Sequence, residues 1–479
     1  MKEYHGHKFK NGVFVTPLNM IENLKKTNWH RDSAPDYLWL ACIIEYYGRD
    51  NGLIKCKEIL SYIKNNLNTK IDNVMYTSIR KLGLQDKISL FSYILTVIDK
   101  DALDPLCIFN DGLSDSAFNQ FFNVFGTFDN RIKFINELMT KLYDFHDNLS
   151  TDINYLVLYY SAIFGKLKIC NGMLLAEAMK NYCNLSHEDE IMRTYRPSIR
   201  ATAQSLNALN FDNAYSKEFW EIYKKMNDCK CYMKKYDSNN IEKEFIEQFA
   251  NVIIYYNDYL MNVNPLDQKA LVLFGILNYS YKLLIEISTG DADTSIISRI
   301  VHRIILENYI ITKYLLLEEK NHSNIWNEYQ SYGAGKLKML IERHKDFNDD
   351  MFKHIDYEYL GLLMSDGYNE AFLDMDTKYF DNKKIREKFE MVDEKALYNA
   401  YDYDSLFEHS LWGEIRETVL MKCTEPSHDY HWVLDTENVQ NLSSISEDIK
   451  NVLLRQLCVV EEAYGLPEEL KIIYEFKTK

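Results

Sequence analysis

Turn-forming residues are scarce: seven prolines and 17 glycines in 479 residues. Sandwiches, barrels and alternating α/β folds need tight turns at short intervals, so this scarcity disfavours all three and favours an all-α chain. Basic residues are outnumbered, 55 against 71 acidic, for a formal net charge of −16. That balance works against broad, sequence-independent binding of a phosphate backbone and leaves room only for a local basic pocket. No window of about 18 uncharged apolar residues exists, and the N-terminal stretch MKEYHGHKFKNG has no apolar core of the signal-peptide kind. The expected setting is the cytoplasm, with no membrane partner.

The nine cysteines are odd in number and never spaced as Cys-x-x-Cys, so reduced thiols are expected. Cys229 and Cys231 form the only close pair. With no second pair and no neighbouring histidine they are assigned no metal, and no cofactor is expected. Gly333, Gly335 and Lys336 imitate the end of a phosphate loop, but Gln330 and Leu337 stand where a glycine and a metal-binding hydroxyl are needed. HExxH and GxSxG motifs are absent.

What is present is helical periodicity in a chain longer than one ordinary core of roughly 250 to 300 residues. Apolar residues recur every three or four positions from Leu18, Ile21 and Leu24 onward. Long helices are predicted at 215–236, 241–261, 266–288, 295–319 and 443–464, with Gly290 as a stop and Asp293 or Thr294 as the following cap. Ser186–Arg200, with three arginines around Pro197, reads as a solvated break or an anion-binding lip. Lys471–Phe476 alternates like a short strand. The polar run Asp237–Asn240 is the best boundary, giving a helical array over 1–236 followed by a C-terminal helical bundle over 241–479.

Two stretches carry candidate chemistry. The predicted helix from Ser295 sets Arg299, His302, Arg303 and Glu307 into an otherwise apolar face, and Arg303 and Glu307 are spaced i, i+4 to pair. Between Tyr401 and His431 the chain gathers His409, His428 and His431, three of its twelve histidines. If 394–409 and 411–422 are helical, Glu408, Trp412 and Arg416 follow at successive i+4 steps. Neutral imidazole is both a metal ligand and a general base near pH 7, so convergent histidines fit catalysis, ligand binding or a satisfied structural cluster.

The Arg303 and Glu307 helix, Tyr403, the span from Glu408 to Trp412, and Pro426-x-His428-x-x-His431 together resemble an uncharacterised bacterial family of helical domains of unknown function, over about residues 260–435. The resemblance suggests a phage-defence or stress setting. A looser resemblance, to HEPN-type helical ribonucleases, departs at their Arg-x(4–6)-His motif, which no arginine here completes.

From these features the expected function is phosphodiester cleavage by a helical-bundle nuclease, with RNA or a protein as partner and self-association compatible. The expected catalytic residues are Arg303, Glu307, His409, His428 and His431, and Tyr403, Trp412 and Arg416 would contact substrate. His409 would serve as general base and Arg303 would stabilise developing negative charge. The alternative is a non-enzymatic interaction or sensor protein with a structural histidine cluster.

Overall fold

The computed structural model describes residues 6–16, 27–110, 116–124, 126–170, 172–209, 214–347, 354–365, 373–375, 381–439 and 441–476. Of the described residues 68% are helical and the sheets among them are small, so the protein is all-α. The helical start expected at Leu18–Leu24 lies outside the described residues. Contacts divide the chain into two units, residues 1–232 with 422–433, and residues 233–421 with 434–479. The main crossing falls at 232/233, against 236–241 from the sequence, and the short excursion at 422–433 was not anticipated.

In the first unit, α1 (Ala34–Tyr47) is apolar on every side and buried from Ala34 to Ile44, as a helix with no polar face must be. Pro35 sits in its first turn, where a missing N–H costs nothing. Gly48, at φ 74°, turns the chain directly into α2 (Arg49–Asn66). A Cβ on Gly52 would lie 2.5 Å from the Ile44 Cα, so glycine is what lets α2 cross α1 this closely. Around this pair stand α3 (Leu84–Val97), α4 (Phe128–Lys141), α5 (Asn148–Ile163), α6 (Met192–Leu209) and α7 (Ala214–Tyr223). A hairpin of β1 (Lys8–Lys10) and β2 (Val13–Val15) precedes them.

Two expectations fail in this unit. Ser186–Arg200 is not a break beyond residue 191: Pro197 lies inside α6. The helix continues because Met192, Tyr195, Ile199 and Ala203 bury one face, while Arg196 and Arg200 bond Asn148 and Thr151 of α5. The 215–236 helix stops at Tyr223. Carbonyls that would continue it, those of Lys224 and Asn227, instead accept from the His428 ring at 3.1 and 3.0 Å.

The second unit is a bundle of α8 (Lys243–Asp258), α9 (Gln268–Thr289), α10 (Ile296–Glu318), α11 (Ile325–Phe347), α12 (Tyr398–Glu408), α13 (Trp412–Val419) and α14 (Ser446–Tyr464). Its central helix is α10, packed on α9, α12 and α14. By length and apolarity α9 could cross a membrane, but 56% of its most apolar window is buried within the fold, as in a core helix. Gly290 ends α9 as expected. Asp293 does not cap α10: it accepts from Ser238 Oγ at 2.8 Å and the Asn239 N–H at 3.0 Å, leaving Ser295 at the N-cap. Gly333 and Gly335 lie inside α11, where a Cβ on Gly335 would meet the Asp374 carbonyl at 2.3 Å. The tail is a 3₁₀ helix, Glu468–Phe476, not a strand. Ile473 is buried there and Phe476 packs on Phe245, a one-sided anchoring that a lone strand could not hydrogen-bond.

Candidate functional site

Facing helices α10 and α12 present two adjacent stripes, and each stripe assembles one polar group. On the first, Arg303 meets the 401, 405 and 408 positions of α12, spaced i, i+4, i+7 on one face. Its Nε donates to Ser405 Oγ at 3.0 Å and lies 3.0 Å from Glu408 Oε2, its Nη2 donates to the Tyr401 hydroxyl at 3.0 Å, and its guanidinium stacks 4.9 Å over the Tyr401 ring. Glu307 Oε2 is 3.7 Å away, the i, i+4 pair read from the sequence, and accepts from the Tyr401 hydroxyl at 3.5 Å. Burial pushes the Tyr401 phenol up to about 12, with the Glu307 charge adding and Arg303 opposing, so it stays a donor near neutrality. Arg303 is thus enclosed by its own protein partners.

His409 stands at the C-cap of α12, exposed, with Nε2 3.9 Å from Glu408 Oε2. Arg303 and His409 therefore converge on one carboxylate oxygen. Glu408, Trp412 and Arg416 do not share a helix face. The chain breaks at Ser410, which takes a left-handed φ of 49°, and α13 starts afresh at Trp412. Trp412 is 67% exposed. Tyr403 donates to Glu417 at 3.1 Å, and burial together with that carboxylate pushes its phenol up to about 12.

The second stripe places Arg299, His302 and Leu306 of α10 against Ala400, Tyr403 and Asp404 of α12, lining a cleft of about 410 Å³ whose far wall includes Arg455. His302 Nδ1 lies 2.6 Å from Asp404 Oδ2, both residues being buried, and its Nε2 has no hydrogen-bond partner among the described residues. Arg299 donates to the Ser443 carbonyl at 2.5 Å. A neighbouring cleft of about 620 Å³ carries Glu307 on its wall with Lys383, Lys384, Arg386 and Lys388. Asp404 was not among the expected residues, and His302 was noted only as a polar residue set in the helix.

His428 and His431 belong to the other unit, through the 422–433 excursion. There Cys423 and Lys422, in β4 (Leu420–Cys423), pair antiparallel with Cys231 and Tyr232 of β3 (Cys231–Tyr232). β5 (Trp432–Leu434) follows, and the Cys423 N–H donates to the His431 carbonyl at 2.8 Å. Asp429 and Tyr430 both take φ 51°, a left-handed pair that folds His431 back until the two imidazole centroids are 5.2 Å apart. His428 Nδ1 lies 3.7 Å from Cys423 Sγ, and His431 Nε2 lies 3.4 Å from Cys229 Sγ.

Residues 270–427 match the model of DUF5677, a family of unknown function. The DUF5677 match covers most of the 260–435 stretch that carried the resemblance. It spans α9 through β4 and includes Arg303, Glu307, His302, Asp404 and His409. It ends at Ser427, so His428 and His431 lie just past it. No curated protein and no solved structure matches the chain.

Proposed function

We propose that the DUF5677 region is a hydrolase that cleaves phosphodiesters, with RNA as its substrate class and a bacterial defence or stress role as its setting. One observation carries this reading: His302, oriented by Asp404 at 2.6 Å, lines a cleft that also holds Arg299 and Arg455. A carboxylate on one imidazole nitrogen fixes the tautomer and leaves the other nitrogen as a base for water or a ribose hydroxyl. Arginines on the same cleft suit a phosphoryl oxygen. Lys384 and Arg386, exposed in the neighbouring cleft, supply local positive charge in an acidic chain. His302 replaces His409 as the proposed base, because His409 is exposed, with its Nε2 3.9 Å from Glu408, while His302 is buried and held by Asp404. Arg303 and Glu307 would hold α12 in place, with Tyr403 on the cleft wall.

A non-enzymatic reading is favoured by a different observation: the Nε2 of His302 is covered and, among the described residues, unpartnered, which is how a purely structural His–Asp pair would look. The full chain assayed on single-stranded RNA separates the two. Catalysis predicts cleavage that falls about 100-fold or more in His302→Gln, and substantially in Asp404→Asn, since a positioned base contributes roughly 10² to 10⁴. Absence of cleavage by the unsubstituted protein, or full activity in His302→Gln, would leave the interaction reading standing.

A further inference from the structure

In the first unit, Cys229, Cys423, His428 and His431 bring two sulfurs and two ring nitrogens within 4.8 Å of one another. These residues come from two segments nearly two hundred positions apart, and the fold alone gathers them. A tetrahedron with zinc–sulfur bonds of about 2.3 Å and zinc–nitrogen bonds of about 2.0 Å has sulfur–nitrogen edges of about 3.5 Å. The two such edges resolved here are 3.4 Å, Cys229 to His431, and 3.7 Å, Cys423 to His428.

The surroundings are those of ligands already oriented. His428 Nε2 donates to the carbonyls of Lys224 and Asn227. Both partners are acceptors only, so Nε2 carries the proton and Nδ1 turns its lone pair towards Cys423. This is the outer contact that metal-bound imidazoles make. Cys423 Sγ accepts the Glu425 N–H at 3.4 Å, which holds the sulfur in place beside His428. Two thiolates and two neutral imidazoles around a divalent cation sum to zero charge, which suits a site where Cys423 is buried and His428 half-buried.

We propose that these four residues bind one Zn²⁺ ion, in a closed structural site. Four protein donors fill a tetrahedron and leave no position for water or substrate, so the metal fastens the 422–433 excursion to the turn after α7 rather than taking part in hydrolysis. Loading releases the thiol protons of Cys229 and Cys423 to solvent. Cys231, 3.6 Å from Cys229 Sγ, stays outside the coordination sphere as a neighbouring thiol.

The test is metal analysis of the full chain, purified without chelator, together with its cobalt spectrum. About one zinc per chain is expected, lost at least tenfold in Cys423→Ser and His431→Gln and retained in Cys231→Ser. Should the ligand variants fail to fold, Co²⁺ exchanged into the unsubstituted protein decides. Intense tetrahedral d–d bands with thiolate charge-transfer absorption support the site. A weak octahedral spectrum, zinc well below stoichiometry after reconstitution, full retention in Cys423→Ser, or loss in Cys231→Ser with retention in His431→Gln would each overturn it.

Discussion

The ring of His30 is caged by Tyr143, Trp220 and Tyr430, with Nε2 3.5 Å from Asp429 Oδ1. Burial lowers its pKa from 6.5 to about 4, Asp429 countering and Arg31 assisting. Because the folded value is depressed, the unfolded chain binds more protons between these limits. His30 therefore contributes stability that is intact above about pH 6.5 and is lost as pH falls towards 4, by about 3 kcal/mol in all. Urea unfolding of His30→Gln should show a shallower loss across that window than the unsubstituted protein, and equal slopes would contradict the assignment. His30 also marks how far single residues could be read. Arg303 and Glu307 were legible because their i, i+4 spacing lies on one helix. The partnership of His302 with Asp404 was not, because 102 positions separate them and only the rotation of α10 against α12 decides it. Likewise Pro426-x-His428-x-x-His431 was visible as a pattern, while Cys229, a partner 202 positions from His431, was not.

Elements followed the same logic. The interiors of α8, α9, α10 and α14 were read correctly because a buried stripe repeats every three or four residues whatever it packs against. The end of α7 was read less well, because the predicted 215–236 helix stops at Tyr223, where a distant side chain takes the following carbonyls, whereas the break between 409 and 411 was read and falls at the left-handed Ser410. Gly52 shows what periodicity omits. In the sequence it is a glycine inside a helix, ordinarily a cost of about 1 kcal/mol against alanine. In the fold its missing Cβ is the space occupied by the Ile44 backbone, which cannot swing aside as a side chain can. Gly52→Ala should therefore destabilise the first unit by about 2 kcal/mol or more, despite alanine's better helix propensity. Thermal unfolding measures it, and an unchanged or raised midpoint would mean that α1 and α2 separate at little cost.

At the scale of the whole chain, composition was enough for the all-α class, since few turns and a continuous helical period leave no other architecture. The interleaving of the two units was not legible. Asp237–Asn240 reads as a simple boundary, yet residues 422–433, far beyond it, belong to the first unit. They are tied there by the β3–β4 pairing, by Lys230 Nζ on the buried Glu425 at 3.0 Å, and by the carbonyl contacts of His428. A cut near 237 consequently divides the first unit between two polypeptides instead of separating two independent domains. A site-specific protease sequence inserted between Asp237 and Asn240, then cleaved in the folded full chain, should yield fragments that co-elute on gel filtration in native buffer and part only in denaturant. Replacing 422–433 by a glycine–serine linker of equal length should weaken that association and lower the unfolding midpoint of the first unit by several degrees, since each 1 kcal/mol lost in a domain this size costs roughly 2 to 4 °C. Fragments of the unsubstituted chain that separate freely after cleavage would show that 1–232 folds without its C-terminal contribution.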